Sequence, residues 1–328
     1  NYVEPFFGSG AVLLARPNEH AWWDGIETVN DADGFIANFW RAVQADPDAV
    51  AHHADWPVNE NDLHARHAWL VGQRERLQEA LEGDPDYYDA RMAGWWVWGI
   101  CTWIGGGWCS GEGPWQQVDG KLINVGLGQG VQRRLVHLGD GRGINRQLVD
   151  LRDNGIYRQR VHLGDKGDGI NRQLVHGHGC EAWSEHLRMM MRALQDRLRR
   201  VRVCSGDWVR VCGPSPTYKL GLTGVFLDPP YGDVGRDNAV YSVDSASVAG
   251  DVAAWCRENG DNPLLRIALC GYEGEHDLPG WHTWRWHAKG GYANIGEGRG
   301  RENRKRECVW FSPHCLKTDL FAWADTQA

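Results

Sequence analysis

Apolar residues follow two spacings along the chain, one typical of helix faces and the other of buried strands. Over residues 34–45, apolar side chains recur every three or four positions, which predicts a helix. Short apolar runs without that spacing predict strands at 26–29, 201–204, 224–227, 265–270 and 307–311. Because strand-like runs alternate with helical segments, we expect an α/β fold.

Further segments have helical patterns. They predict that one helix begins at 11–14 and that three further helices cover 61–82, 86–103 and 181–199. In the segment 86–103, six residues share one stripe: Met92, Trp95, Trp96, Gly99, Ile100 and Trp103. Tryptophans at helical spacing are more often part of a core than a platform for stacked bases, so we expect this stripe to be buried.

Composition excludes several classes of protein. With 328 residues and 42% hydrophobic content, the chain is long enough to bury a core. It has neither an apolar run of about 18 residues nor a leader, so we expect no membrane span and no secretion signal. Its nine cysteines form no CxxC pair, so reduced thiols in the cytoplasm and no zinc site are expected.

Charge is distributed unevenly along the sequence. Residues 120–210 carry 17 Lys and Arg against 9 Asp and Glu, a net of +8, within a chain whose net charge is −8. Residues 1–119 carry 6 against 19, a net of −13, and residues 211–328 carry 12 against 15, a net of −3. A basic middle between acidic flanks is consistent with either a nucleic-acid surface or an ordinary solvated surface.

The basic middle contains four similar units. They are GVQRRLVH at 130–137, GINRQLVD at 143–150, GIYRQRVH at 155–162 and GINRQLVH at 169–176. Each predicts about six extended residues followed by a turn, and the units are too short to fold singly. One arginine recurs at the same place in every unit: Arg133, Arg146, Arg158 and Arg172.

The recurring arginines favour a phosphate backbone as ligand, because aligned like charges repel unless an anion lies across them. The alternative is a spacer expanded by duplication. A second basic run, GEGRGRENRKRE at 296–307, contains Arg299, Arg301 and Arg304. We expect this run to contact DNA phosphates as well, although a solvated loop is the ordinary explanation of such a segment.

A glycine turn and an acidic strand end lie near the start of the chain. Residues 2–4 predict a strand, and Glu4-Pro5-Phe6-Phe7-Gly8-Ser9-Gly10 then leads into a helix. Glycines at such a turn allow a ligand to approach the backbone closely. About 20 residues further, Asp31 ends the next predicted strand, where related sheets hold a ribose. Since the turn lacks a phosphate-binding lysine, the pair predicts a nucleoside cofactor without a pyrophosphate.

A third motif, FLDPPYGD at 226–233, places an acid, two prolines and a tyrosine at a predicted strand end. Together with YVEPFFGSGAV at 2–12 and VNDADGFIANFWRAV at 29–43, it resembles the Dam-like adenine-specific DNA methyltransferases. The α group of that family has Phe-x-Gly-x-Gly, an acidic strand end, a recognition insertion and Asp-Pro-Pro-Tyr in this order. The resemblance extends to SGDW at 205–208 and covers about 1–50 and 200–315.

The resemblance implies a Rossmann-like S-adenosylmethionine-dependent methyltransferase sheet with an inserted target-recognition region. It implies a catalytic domain in two parts, at 1–55 and 201–328, around an inserted helical and repeat-containing region at 56–200. Because Asn1 directly precedes the strand at 2–4, we expect a further segment upstream, where the family has residues that help to close its cofactor pocket.

The implied roles divide into three groups. S-adenosylmethionine would contact Glu4 through its ammonium, Gly8 and Gly10 through its methionine part, Asp31 through its ribose, and Asp207 with Trp208 through its adenine. Phe6 belongs either to this set or to the core. The catalytic residues would be Asp228, Pro229, Pro230 and Tyr231. Double-stranded DNA would contact Arg133, Arg146, Arg158, Arg172, Arg299, Arg301 and Arg304, and no metal or membrane is expected.

The implied reaction is site-specific methylation of the N6 amino group of an adenine that has left the duplex. Two alternatives remain. Asp-Pro-Pro-Tyr also occurs in methyltransferases that act on the amino group of cytosine or of RNA guanine, and a catalytically decayed methylase fold could bind DNA without reacting.

Overall fold

The computed structural model describes residues 1–16, 25–103, 108–109, 180–231, 248–285 and 306–315, and the strands at 115–118, 121–124, 149–150 and 157–158. Eight α-helices lie within these residues. Their bounds are α1 (Ala11–Ala15), α2 (Gly34–Ala45), α3 (Pro47–Ala54), α4 (Glu60–Gly83), α5 (Ala90–Thr102), α6 (Cys180–Leu198), α7 (Val209–Cys212) and α8 (Val248–Asn259).

Seven of the described strands form one mixed sheet in the order β10-β11-β9-β8-β1-β2-β7. They are β1 (Tyr2–Glu4), β2 (Glu27–Asp31), β7 (Val201–Ser205), β8 (Thr223–Leu227), β9 (Leu265–Tyr272), β10 (His282–Arg285) and β11 (Glu307–Phe311). The pairs β1-β2, β1-β8 and β8-β9 are parallel, and β11 is antiparallel to both β9 and β10. The α/β prediction is therefore confirmed, and the sheet is compatible with a Rossmann-like fold.

The direction in which the chain adds strands to the sheet reverses at β1. The chain passes from β1 to β2 on one side, and it later adds β8 and then β9 on the other side. Val3 lies beside Thr28 of β2 and beside Val225 of β8 in the parallel register. In open α/β sheets, ligands bind outside the carboxyl ends of the strands at such a reversal. The fold thus directs attention to the residues that follow β1, β2 and β8.

Two shorter pairs of strands lie between α5 and α6. The strands β3 (Trp115–Val118) and β4 (Lys121–Asn124) pair antiparallel, as do β5 (Val149–Asp150) and β6 (Tyr157–Arg158). The second pair falls inside the repeated units, where Val149 lies opposite Arg158. Extended segments are what the repeat pattern predicts.

The chain divides into two compact units. The first comprises Asn1–Gly8, Trp22–Ala32 and Gly206–Ala328, and the second comprises Ser9–Ala21 and Asp33–Ser205. In the first unit, apolar residues of the parallel strands are fully buried, among them Val3, Leu227 and Leu269. Buried and half-buried residues alternate along β8, so one face of this strand is packed more tightly than the other.

The second unit is a helical assembly with its own core. Phe35, Leu70, Leu77, Leu81 and Met92 form one buried cluster drawn from α2, α4 and α5. Side chains cap the helices: Asp33 accepts from the backbone N–H of Phe35 before α2, and caps at Asp46, Asn59 and Asp89 do the same for α3, α4 and α5. Each such cap contributes about 1 kcal/mol to helix stability.

A buried arginine joins the segments of this second unit. Arg41 of α2 donates from Nε to the carbonyl of Val203 at 3.0 Å, and from Nη1 to the carbonyls of Leu81 at 3.0 Å and Asp84 at 3.2 Å. The carbonyls of Leu81 and Asp84 lie at the C-terminal end of α4, where no helical partner is left for them. The carbonyl of Val203 belongs to β7, the last strand in the order of the described sheet. The side chain of Arg41 therefore donates to three backbone carbonyls in place of backbone N–H groups.

The predicted helix bounds are close to the observed ones, but the predicted stripe on α5 is only partly right. Met92 and Gly99 are buried, whereas Ile100 is 40% exposed. Trp103 lies outside the helix as its C-cap. A second face is buried at Gly94, because a Cβ there would lie 2.4 Å from Cβ of His53 in α3. A helix packed on two sides does not show a single stripe.

Two negative findings apply to the described part of the chain. No group of three or more His, Cys, Asp or Glu side chains there is placed to hold a metal ion. None of the helices found in it has the length and apolar character needed to cross a membrane.

Candidate functional site

Three carboxylates predicted to bind the cofactor or to act in catalysis lie at the carboxyl ends of the strands at the sheet reversal. Within the first unit, Glu4 ends β1, Asp31 ends β2, and Asp228 directly follows β8. Because β1 is parallel to both β2 and β8, the carboxyl ends of all three strands lie at the same edge of the sheet. The sheet topology therefore brings together motifs that are about 200 residues apart, as expected for such a fold.

The glycine turn has the backbone geometry that requires glycine. Gly8 has φ 47° and Gly10 has φ 67°, both in the left-handed region that side chains disfavour. A Cβ added to Gly8 would meet no atom within 4 Å. Backbone conformation rather than crowding thus selects glycine at position 8, and the space beside the turn remains open.

Asp31 holds this turn in place. The backbone N–H of Gly8 donates to Oδ2 of Asp31 at 2.8 Å. Asp31 is only half-buried, and a carboxylate can accept about four hydrogen bonds in total. The same side chain can therefore orient the turn and accept further donors.

Asn30 ties three segments of the site together, and sequence reasoning did not assign it a role. Its side-chain amide donates to the carbonyls of Pro5 at 3.2 Å and Gly206 at 2.9 Å. Its own backbone carbonyl accepts from Phe7 at 3.0 Å. Asn30 is 1% exposed, so these bonds form away from competing water. A polar residue next to the acid in a buried strand was the signal available in the sequence.

An aromatic pair lies beside the turn. The rings of Phe6 and Trp208 have centroids 6.1 Å apart and planes inclined at 31°. Trp208 is buried and also meets Trp255 edge-on at 6.4 Å, whereas Phe6 is half-buried. Phe6 therefore contributes to the packing around Trp208 and also retains exposed surface.

Asp207 is the exposed member of the SGDW element. Its Oδ1 accepts from the backbone N–H of Val209 at 2.9 Å, at the start of α7. The backbone N–H of Gly206 donates to the carbonyl of Asp31 at 3.0 Å. This second link places Asp207 and Trp208 directly beside the acidic end of β2.

Glu4 differs from the other predicted cofactor contacts. It is 3% exposed, and its Oε2 accepts from the hydroxyl of Tyr2 at 2.8 Å. Contact between its carboxylate and an ammonium group stays a prediction.

Asp228 and Tyr231 form a hydrogen-bonded pair within the Asp-Pro-Pro-Tyr motif. The hydroxyl of Tyr231 donates to Oδ1 of Asp228 at 3.1 Å. Desolvation by the surrounding protein raises the pKa of Asp228 to about 6, and the Tyr231 bond opposes that rise. Burial also raises the pKa of Tyr231, followed by the charge of Asp228. Asp228 still has solvent-exposed surface, so crowding rather than full enclosure causes its shift.

The residues around this pair make it rigid. Pro229 and Pro230 are buried, and their rings restrict the backbone that carries the acid and its carbonyl groups. Tyr272, at the end of β9, meets the Tyr231 ring edge-on with centroids 4.6 Å apart. The guanidinium of Arg306 lies 5.2 Å from the Tyr272 ring. Sequence reasoning missed Tyr272, since only the pairing of strands brings it beside Tyr231.

Most of the predicted DNA-binding arginines lie outside the described residues. For Arg158 the structure describes the backbone as part of β6, and it describes nothing of Arg133, Arg146, Arg172, Arg299, Arg301 or Arg304. Their roles stay predictions. No protein-family model matches the chain, and no match was found among curated proteins.

Proposed function

We propose that this protein is a DNA methyltransferase that transfers a methyl group from S-adenosylmethionine to the N6 amino group of adenine. The observation that carries the proposal is the hydrogen-bonded Asp228–Tyr231 pair, which lies at the same sheet edge as the Gly8–Asp31 link. Methylation of an amino group needs a hydrogen-bond acceptor for the amino hydrogens beside a site that can bind a nucleoside cofactor. In the cell, we propose that the protein acts on double-stranded DNA in the bacterial or phage-infected cytoplasm.

The residues at the glycine turn fit a nucleoside cofactor. Open space beside Gly8 leaves room for a ligand against the backbone. The half-buried carboxylate of Asp31 would accept from ribose hydroxyls, and the Phe6–Trp208 pair offers an aromatic surface to an adenine ring. When bound, S-adenosylmethionine would supply an electrophilic methyl group on a sulfonium. No phosphate contact is needed, which agrees with the absence of a lysine from the turn sequence.

Asp228 would act on the target amino group. The lone pair of an adenine amino group is delocalised into the ring, so the nitrogen is a weak nucleophile. If Oδ2 of Asp228 and the carbonyl of Pro229 accept its two hydrogens, the nitrogen moves toward tetrahedral geometry and its lone pair becomes available. The nitrogen would gain a bond to the methyl carbon as the bond of that carbon to sulfur breaks and leaves a neutral thioether. It would then lose one proton, for which the ionised Asp228 is the adjacent acceptor.

Tyr231 would serve two purposes. Its hydroxyl orients the carboxylate of Asp228 through the 3.1 Å hydrogen bond. Its half-buried ring would stack on a base that has left the duplex, because the amino group cannot be reached inside the stack. Tyr272 meets the Tyr231 ring edge-on and would keep it in position.

Methyl transfer from labelled S-adenosylmethionine to duplex DNA tests the proposal, with the digested DNA analysed for N6-methyladenine and N4-methylcytosine. We expect N6-methyladenine with the wild-type chain and none with Asp228→Ala, whereas cofactor binding measured by calorimetry stays within about threefold. Formation of N4-methylcytosine, or label in RNA alone, would show that the substrate is one of the other amino groups and not that of adenine. DNA binding without any heat from S-adenosylmethionine would instead indicate a decayed enzyme.

A further inference from the structure

The second unit contains a pocket of about 590 Å³ that the proposed reaction does not use. Its lining combines three tryptophans with one arginine and two carboxylates, namely Trp56, Trp69, Trp95, Arg66, Asp55 and Asp62. This volume lies in the range of small-molecule sites, and aromatic walls with a few polar groups are typical of such sites. All of these residues belong to Asp33–Ser205.

Arg66 is the unusual member of this lining. Its guanidinium carbon lies 4.4 Å from the ring centroid of Trp98, 4.9 Å from that of Trp95 and 5.1 Å from that of Trp56. The residue is 9% exposed, and its Nη1 has no hydrogen-bond partner among the described residues. Loss of hydration lowers the pKa of Arg66. A buried guanidinium nitrogen without an acceptor is energetically unfavourable, and an acceptor on a ligand would remove that cost.

The carboxylates limit which acceptor can approach. Asp62 accepts from Trp56 Nε1 and from Asn59 Nδ2, both at 2.6 Å, and these bonds lower its pKa. Asp55 accepts from the hydroxyl of Ser184. Desolvation, followed by nearby positive charges, lowers the pKa of His53, which favours its neutral form. Two acids against one arginine make the lining unfavourable for a phosphate.

We propose that this pocket binds a guanine ring, with O6 and N7 accepting from Arg66 and the ring stacked on the tryptophan surface. The contact of arginine with O6 and N7 is the commonest specific contact made to guanine, and stacking on aromatic rings adds to the affinity for a base. The donors N1–H and N2–H₂ lie on the adjacent edge of guanine, where a carboxylate is the matching acceptor. The proposal does not rest on methyl transfer.

Access to Arg66 requires a movement of Trp56. Nη1 is buried, but Trp56 is 51% exposed, so its indole can turn toward solvent. This movement breaks the Trp56–Asp62 hydrogen bond and frees the carboxylate of Asp62 to accept from the ligand. The O6–N7 edge of guanine would then approach the guanidinium in its own plane, with the guanine face against the remaining tryptophan rings. Binding should therefore change tryptophan fluorescence.

Calorimetric titration with guanosine, followed also by tryptophan fluorescence, tests the site in the full chain. We expect guanosine to bind, and adenosine and cytidine to bind about tenfold more weakly or not at all. Guanosine monophosphate should bind more weakly than guanosine because of Asp55 and Asp62. A short single strand of thymidines with one central guanine distinguishes a free nucleoside from an unpaired base in DNA.

Three variants separate contact with the ligand from a contribution to folding. Arg66→Lys keeps the charge but loses the planar pair of donors, and Ala65→Phe fills the pocket from an exposed lining position; each should weaken guanosine binding about tenfold or more. Arg91→Lys is the matched control, since Arg91 lies 4.6 Å from the Trp69 ring and 5.4 Å from the Trp95 ring but does not line the pocket.

Four results from the wild-type chain and the two arginine variants would overturn the proposal. They are no guanosine binding by the wild-type chain, equal affinity for all three nucleosides, tighter binding of the monophosphate, and equal losses in Arg66→Lys and Arg91→Lys. If Arg66→Lys fails to fold, Ala65→Phe decides alone, because its side chain adds volume at an exposed position. Unchanged affinity in a folded Ala65→Phe protein would place guanosine elsewhere.

Discussion

The backbone N–H of Gly8 donates a hydrogen bond of 2.8 Å to Oδ2 of Asp31. This bond joins the turn after β1 to the acid at the end of β2, so two motifs that are separate in the sequence act as one element of the site. A change on either side of the bond is expected to affect the other.

Gly8→Ala tests the backbone requirement of the turn. Since Gly8 has φ 47° and a Cβ would meet no atom within 4 Å, the cost comes from backbone strain alone and should be about 1–2 kcal/mol of unfolding free energy. Urea unfolding measures it. Gly250→Ala in α8 is the control, because a Cβ there also meets nothing. There we expect a gain of about 0.5–1 kcal/mol. A loss at both positions would contradict the interpretation.

Asp31→Asn should separate the two roles of this carboxylate. The amide oxygen can still accept from Gly8, so the free energy of unfolding should change little. The charge that would bind ribose hydroxyls is lost, however, and affinity for S-adenosylmethionine should fall about tenfold or more. Calorimetric titration measures this affinity. Asp251→Asn, at an exposed position in the first turn of α8, should leave it unchanged. Full affinity in Asp31→Asn would remove the ribose assignment.

Asp228 is expected to lower stability at neutral pH. Its pKa is about 6 in the folded protein, above the ordinary value of 3.8. Between about pH 4 and pH 6 the folded protein therefore binds more protons than the unfolded chain, and the free energy of unfolding decreases as the pH rises. Asp228→Asn removes this effect.

Thermal unfolding of Asp228→Asn checks the sign. The melting temperature should exceed that of the wild-type chain at about pH 7.5, and the difference should shrink at about pH 4.5. The solvent exposure of Asp228 makes a small gain the expected one. A melting temperature lowered at about pH 7.5 would show that the ionised carboxylate stabilises the fold.

Tyr231→Phe should change the pH dependence of methyl transfer. The ring remains for stacking, but the hydrogen bond that lowers the pKa of Asp228 is lost. The ionised carboxylate is the form that accepts amino hydrogens, so wild-type activity should fall as the pH drops through about 6. In Tyr231→Phe that fall should begin at a higher pH. A pH–rate profile under single-turnover conditions measures it, and superimposable profiles would exclude coupling between the two groups.

Local sequence patterns predicted many of the elements, but not α3, α8 or β10, and they did not predict the contacts between elements. The helix predicted at 34–45 agrees with α2 at both ends, because Asp33 provides a cap that can be recognised in the sequence. The helix predicted at 86–103 begins later, at Ala90, since Asp89 caps it instead. Asp31 ends a strand and Asp228 directly follows one, as their motifs predict.

Asn30, Tyr272 and Arg66 could not be assigned from the sequence. Asn30 donates to Gly206, 176 residues away, and Tyr272 meets Tyr231 only through the packing of β8 and β9. Arg66 lies on a helix whose pattern is visible, but the tryptophans around it come from other segments. Such roles depend on the tertiary fold, which periodicity does not specify.

The arginines of the repeated units carry the last prediction. If Arg133, Arg146, Arg158 and Arg172 lie along one DNA backbone, each neutralises about one phosphate and releases its condensed counterions. Replacing any one of them by Gln should therefore lower the slope of log affinity against log salt by about one unit. The loss should be similar for all four and similar for every duplex sequence, because phosphate contacts position a protein while base contacts specify the site.

Salt titrations of DNA binding for the four variants measure these slopes, and sequencing of the methylated DNA reports the modified site. Gln147→Ala, Gln159→Ala and Gln173→Ala are the matched comparison, since each follows a repeated arginine and a Gln amide can pair with adenine. These changes should alter the methylated sequence with little effect on the slope. Unaltered slopes in the arginine variants would make the repeats a spacer, and a changed methylation site in them would make these arginines readers of base edges.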